Sequence, residues 1–289
     1  ELEPRHLANV AWAAARLRLA HEHSVPTLLD KLSERAAFLA DQFKPQEACN
    51  LLWALAAMVT ADTAYANAAI SGITDALLPK LDICNTQDHS NLLWALSPLA
   101  AANEPCVAAV CASAVTRFGQ FEPTHLSAIL WAVAKSSHHQ LPFFEAARVA
   151  LHEARLLSTM GTQHVANILW AFAAASHPAA AVAPVVEQAQ QLAWEMRPPE
   201  LAGIIWACTN LDWRCGGAGM APLLSAATTA ARAKISDFRP AELTGMSWAL
   251  VRLRAEGAML RHASARRCAA LRWQGFRPPE LVSTLWAFA

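Results

Sequence analysis

One dipeptide recurs along this 289-residue chain and restricts what it can fold into. Trp12, Trp53, Trp94, Trp131, Trp170, Trp206, Trp248 and Trp286 are each followed by Ala, at a mean spacing of about 39 residues. Such a period marks a repeat array, because a unit that short buries its apolar face only against copies of itself. Repeats begin near residues 2, 43, 84, 121, 160, 196, 238 and 276. The text starts inside one repeat and stops inside the last, which is cut short and reads as the end of a fragment.

The flanks of each Trp predict a helix start. Eight residues earlier stands Pro4, Pro45, Thr86, Pro123, Thr162, Pro198, Pro240 or Pro278. Proline suits the first helical position, where its missing N–H leaves no bond unmade. Two residues further in come His6, Glu47, Asp88, His125, His164, Glu200, Glu242 and Glu280. An acid there complements the free N–H groups and the positive end of the helix dipole. Two residues before the Pro or Thr an apolar residue always occurs: Leu2, Phe43, Cys84, Phe121, Met160, Met196, Phe238 or Phe276. It is placed to staple onto Leu7, Ala48, Leu126, Val165, Leu201, Leu243 or Leu281, and only His89 in the third repeat breaks that pattern.

A second apolar-periodic segment follows each Trp-Ala helix, as in Val25–Phe43, Tyr65–Leu81, Phe143–Leu157 and Ala221–Ile235. Turn-like stretches separate the two, including His138 to Pro142 and Cys215 to Gly219. The expected fold is therefore all-α: an α-solenoid (superhelix) of about eight tandem helix-turn-helix repeats of roughly 39 residues, forming one domain over 1–289. The Ala after each Trp marks a close helix crossing.

On a wheel at about 100° per residue, with angles measured from the Trp, the core stripe falls between about 160° and about 260°. It holds Ala48, Leu51, Leu52 and Leu55 in the second repeat and Val165, Ile168, Leu169 and Phe172 in the fifth. Polar residues gather between about 20° and about 120°. They are Arg5, His6, Asn9 and Arg16; Gln46, Glu47 and Asn50; Gln87, Asp88 and Asn91; Thr124, His125 and Lys135; Gln163, His164 and Asn167. The row continues with Glu200, Asn210, Glu242, Arg252, Glu280 and Ser283. Amide and acid side chains present donors and acceptors that match a base edge, so a repeated polar row suits a modular reader. The base-contact candidates are Arg5, His6, Asn9, Gln46, Glu47, Asn50, Gln87, Asp88, Asn91, Thr124, His125, Gln163, His164 and Asn167. Helix capping alone also explains the acids, and an amide ladder between neighbouring helices also explains the Asn positions. The Trp residues are expected as a packed spine of the core, their indole N–H groups bonded to the adjacent repeat.

Charge adds a second theme. The chain is formally neutral, yet residues 232–289 hold 10 Lys and Arg against 4 Asp and Glu, while the rest holds 13 against 19. Lys44, Arg197, Arg239 and Arg277 stand just before helix starts, and Arg252 lies in the polar row. A cation beside exposed backbone N–H groups forms a phosphate contact, and these five are the candidates.

Other classes are disfavoured. There is no G-x-x-x-x-G-K-[ST], G-x-S-x-G or H-E-x-x-H, and the acids of successive helices lie a helix pair apart, so an enzyme is not expected. His21/His23 and His138/His139 have no matching Cys or carboxylate ligands, so neither a metal nor another cofactor is expected. Seven Cys without zinc-finger spacing read as buried thiols. The apolar run Val165–Val186 is interrupted by His177, Pro178 and Pro184, so no membrane span is expected.

These residues resemble the octotricopeptide repeat family, whose core reads P-Q-x-L-A-N-x-L-W-A-L-A. Residues 44–56, KPQEACNLLWALA, and 161–173, GTQHVANILWAFA, are similar to it. The likeness covers essentially the whole chain; the last three repeats depart by placing Gly203, Gly245 and Ser283 at the Asn position. The resemblance implies binding of single-stranded RNA or rRNA segments in a mitochondrion or chloroplast, beside other proteins of an organellar ribonucleoprotein. Transcript stabilisation, processing or translation would follow, or a structural rRNA-binding role in an algal mitochondrial ribosome. The competing class is a protein-binding scaffold of the HEAT or armadillo type; a third is an RNA-processing enzyme whose catalytic domain lies outside this sequence.

Overall fold

The computed structural model of the chain describes residues 2–17, 25–58, 64–97, 104–136, 141–152, 154–211, 220–252 and 258–288. Among the described residues there is no strand, and the chain is all-α. It divides into two compact units, Glu1–Ala147 and Arg148–Ala289.

The first unit holds α1 (Pro4–Arg16), α2 (Val25–Phe38), α3 (Pro45–Met58), α4 (Ala64–Leu77), α5 (Thr86–Leu96), α6 (Glu104–Val115) and α7 (Pro123–Lys135). The helix α8 (Leu141–Leu151) runs from the first unit into the second. The second unit continues with α9 (Ala154–Ser158), α10 (Thr162–Ala174), α11 (Ala183–Leu192), α12 (Pro198–Asn210) and α13 (Met220–Ala233). It ends with α14 (Pro240–Arg252), α15 (Ala258–Ala270) and α16 (Pro278–Phe288).

All eight Trp-Ala segments are helices that begin at the expected Pro or Thr. In the first unit α1 packs on α3, α3 on α5 and α5 on α7, while α2 packs on α4. In the second, α10 packs on α12, α12 on α14 and α14 on α16, with α11 on α13 and α13 on α15 behind them. Each unit thus has a layer of Trp helices and a layer of second helices.

The second helices end earlier than their apolar periodicity predicts. Short 3-10 turns close α2 at Ala40–Gln42, α4 at Leu78–Ile83 and α13 at Ile235–Asp237. The expected helix over residues 143–157 is split into α8 and α9. The cause lies just downstream, where the chain must leave the helix to start the next repeat. Phe43, Cys84, Phe121 and Phe238 are extended, with φ near −70° and ψ between 132° and 138°, and all four are buried. A 3-10 turn shortens the approach to that extended residue. The turns expected at His138–Pro142 and Cys215–Gly219 fall largely outside the described residues, as do the pairs His21/His23 and His138/His139.

The wheel places the core correctly in the first seven repeats, whereas in α16 Leu281 is half-buried and Leu285 is exposed. Leu7, Ala48, Leu126, Val165, Leu201 and Leu243, five residues before their Trp, are buried at 1% exposure or less. His89 holds the same slot fully buried. Its Nδ1–H donates to the Asn85 carbonyl at 2.8 Å, so Nε2 accepts from the Ser113 hydroxyl at 2.9 Å. Burial pulls its pKa below the ordinary value, consistent with a neutral ring. The Ala after the Trp is buried in repeats two to eight. Among the eight it is exposed only at Ala13.

Cys49, Cys84, Cys111, Cys208 and Cys268 are buried and unbridged, and Cys106 is half-buried. Burial pushes the Cys111 and Cys208 thiols up to about 12. Among the described residues no helix is long and apolar enough to cross a membrane.

Candidate functional site

Four positions of each Trp helix share one side: seven and three residues before the Trp, the Trp itself, and four after it. Helical geometry puts them within about 60° of arc. The first is exposed in every copy, as Arg5, Gln46, Gln87, Thr124, Gln163, Pro199, Ala241 and Pro279. The Trp residues belong to this same exposed side. Trp12 is 46% and Trp286 62% exposed, and the six between them are half-buried. This corrects the expected core spine. The core stripe lies on the far side of the helix from the Trp residues.

Neighbouring helices hold these stripes in register. The rings of Trp53 and Trp94 lie 5.6 Å apart at 34°, and those of Trp170 and Trp206 are stacked at 5.5 Å and 29°. Cations one helical turn on cover other rings: Arg16 over Trp12 at 5.5 Å, Lys135 over Trp131 at 4.6 Å and Arg252 over Trp248 at 5.1 Å. Polar rungs run beside them. The Asn91 amide donates to the Asn50 carbonyl oxygen at 3.4 Å, His125 Nδ1 lies 3.2 Å from the Thr86 hydroxyl, and Thr244 and Thr284 meet at 2.8 Å. Arg252 donates to the Asn210 carbonyl oxygen at 3.2 Å.

The residue six before the Trp does capping work. Glu47, Asp88, Glu200, Glu242 and Glu280 accept from the backbone N–H of Lys44, Asn85, Arg197, Arg239 and Arg277, at 2.6 to 3.2 Å. His6 and His164 accept through Nδ1 from Glu3 and Gly161, at 3.4 and 3.1 Å. Asp88 is buried, which raises its pKa, whereas burial lowers those of His125 and His164. The hydrogen bond from Arg277 holds the Glu280 carboxyl below the usual range. Of the base-contact candidates, Arg5, His6, Asn9, Gln46, Gln87, Thr124 and Gln163 are exposed, and Glu47, Asn50, Asn91, His125, His164 and Asn167 are half-buried; Asp88 is buried and spent on its cap, which corrects its place among them.

The phosphate candidates Lys44, Arg197, Arg239, Arg252 and Arg277 are all exposed. Arg197 pairs with Glu200 at 2.7 Å and Arg277 with Glu280 at 2.6 Å. A concavity of about 290 Å³ lies between the starts of α12 and α14, lined by Arg197, Pro198, Pro199, Asp237, Arg239 and Glu242. Among the described residues no three His, Cys, Asp or Glu side chains converge as metal ligands would.

One set of residues escaped the sequence reading. Lys80 Nζ donates to the Asp41 and Phe43 carbonyls at 3.1 and 3.4 Å, and Lys234 Nζ to those of Trp194 and Met196 at 2.5 and 2.7 Å. Arg117 donates in the same way to Cys84 and Asp82. Each cation sits four residues before the next repeat's buried apolar residue and reaches back to the start of its own. A basic residue recurring at that offset was the signal. Compared with known families and curated proteins, the chain matches no family model and no curated sequence.

Proposed function

We propose that the chain is an α-solenoid of about eight helical pairs that binds single-stranded RNA sequence-selectively, without catalysis, through the exposed side of its Trp helices. The observation that carries this reading is the register. Successive helices present an exposed residue, an amide or a small residue, an indole and, in several copies, a cation at matching positions. A strand laid across the helices would meet one such set per helix, as in other helical-repeat readers. Gln46, Gln87, Gln163 and the Asn positions would meet base edges; Lys44, Arg239 and Arg252 would meet phosphates.

The resemblance to octotricopeptide repeats supports the same reading. It adds a mitochondrial or chloroplast setting within a ribonucleoprotein, with a role in transcript stabilisation, processing or translation, or in holding rRNA. The second reading is a HEAT-like or armadillo-like protein scaffold. It is favoured by the Asn91–Asn50 rung and by acids engaged in capping, since those groups are then structural.

Selection from a randomised RNA pool, with sequencing of retained strands, tests the first reading. Enrichment of a common motif supports it. Retention of no strand at low salt rejects it in favour of the scaffold.

A further inference from the structure

Two departures from the repeat pattern meet in the first unit. Ahead of the helix start the other copies carry Leu, Phe or Met, whereas the third carries Cys84. Four residues before the Trp stand Ala8, Ser90, Ser127, Ala166, Ala202, Thr244 and Val282, and only the second copy places a thiol there, Cys49. The fold sets these two residues against each other. Cys49 lies on α3, and Cys84 is the extended residue that leads into α5, the helix packed on α3. The Cys49 thiol donates a hydrogen bond to the Cys84 sulfur, and the Cys84 thiol donates to the Lys80 carbonyl at 3.4 Å. Both side chains are buried. Among the described residues, none of Cys106, Cys111, Cys208 and Cys268 has such a thiol partner.

The two thiols are poised unequally. Accepting the Cys49 S–H lowers the Cys84 pKa; burial and the Asp88 carboxylate oppose this, and the Arg117 guanidinium, which donates to the Cys84 carbonyl at 3.0 Å, assists it. Donating that bond, and then burial, raise Cys49 well above the ordinary thiol value. Cys84 is therefore the better thiolate and the attacking group. It is also the nearer to water, because Ile83 and Asn85 on either side of it are exposed. Local opening of that one extended segment admits a small oxidant without unfolding a helix.

We propose that Cys49 and Cys84 are a redox pair, closed to a disulfide by a peroxide and reopened by a dithiol, that locks the second repeat to the third. In the first step the Cys84 thiolate attacks one oxygen of hydrogen peroxide and the O–O bond breaks. Hydroxide leaves and takes up the thiol proton as water, and Cys84 becomes a sulfenic acid. The Cys49 sulfur then attacks the Cys84 sulfur, the S–O bond breaks, and a second water leaves with the Cys49 proton. The two thiols lose two electrons and two protons, and the peroxide is reduced to two waters. The sulfur contact closes to about 2.05 Å. The new bond ties α3 to the entry of α5, the two helices that also carry the Trp53–Trp94 pair and the Asn91–Asn50 rung.

The experiment adds hydrogen peroxide stepwise to the native chain, alkylates the remaining thiols and maps peptides by mass spectrometry with and without dithiothreitol. The expected product is a Cys49–Cys84 cross-linked peptide pair, two hydrogens lighter than its reduced parts, formed ahead of oxidation at any other cysteine. The bridged chain should melt roughly 5 °C or more above the reduced one, because the bond restricts the unfolded state. Cys49→Ala installs the residue already present as Ala8, Ala166 and Ala202, so the fold persists. In that variant Cys84 should stop at the sulfenic acid and be trapped by dimedone. If both thiols stay alkylatable in excess peroxide, or either bridges to another cysteine instead, the pairing is overturned. A bridge that does not raise the melting temperature overturns the lock, and a Cys84 that dimedone does not trap in Cys49→Ala overturns its role as the attacking thiol.

Discussion

Two glycines in the middle of Trp helices offer the sharpest check on the assignment of faces. Gly203 and Gly245 are the sixth residues of α12 and α14, where glycine is a poor choice. Neither has a positive φ, and a Cβ at either would have nothing within 4 Å. No neighbour requires their smallness, so replacing each by Ala should recover the helix propensity glycine forfeits, about 0.8–1.0 kcal/mol per site. The double variant Gly203→Ala, Gly245→Ala should therefore gain about 2 kcal/mol, both changes falling within the second unit. With a denaturant slope of about 3 kcal/mol/M, the urea midpoint of that unit rises by about 0.6 M. Urea unfolding followed by far-ultraviolet circular dichroism measures it. A lower midpoint would refute the reasoning, because it would mean the slot faces packed atoms and not open space. The corresponding Asn variants should gain only a few tenths of a kcal/mol, Asn being a weaker helix former than Ala. They would also install the amide found at Asn50, Asn91 and Asn167.

Three further outcomes follow from particular contacts. His89, His125 and His164 all have pKa values lowered by burial. The unfolded chain binds their protons first, so stability should be full above about pH 6.5 and fall as pH drops through the folded values. Melting temperatures on either side of about pH 6.5 show the effect, and His89→Leu should flatten it; an unchanged slope would mean the ring titrates normally. Ser176 closes α10 in the left-handed region at φ 59°, with His177 N–H bonded to the Phe172 carbonyl at 2.9 Å. Ser176→Gly should stabilise by about 1 kcal/mol in chemical unfolding, and a loss would show the serine side chain to be needed there. Lys234→Met removes two charged hydrogen bonds to carbonyls at a partly exposed site and should cost about 1 kcal/mol by the same assay. No change would demote the clamp to a surface contact.

Much of this architecture was written in local chemistry. Pro or Thr at the first helical position, an acid or His at the third and an apolar residue before the cap belong to single segments. They located all eight Trp helices without knowledge of any neighbour. The wheel likewise placed the core, since burial of Leu51, Leu52 and Leu55 depends only on which side of the helix they occupy. Part of the site was legible too: the same wheel put the indoles within about 60° of the amides, and only the habit of burying Trp sent them inward.

What the one-dimensional pattern did not hold is the spacing between copies. Whether Asn91 reaches Asn50, or Trp170 stacks on Trp206, is set by how closely two helices approach and in what register. Small buried residues such as Ala54 and Ala207 leave room for such a close approach within a unit. The backward reach of Lys80 and Lys234 has the same origin, because their acceptors lie nearly a full repeat away. Each helix was determined by its own residues; how far each indole is covered was decided by tertiary packing, because only the approach of whole helices brings Trp53 against Trp94 and Trp170 against Trp206.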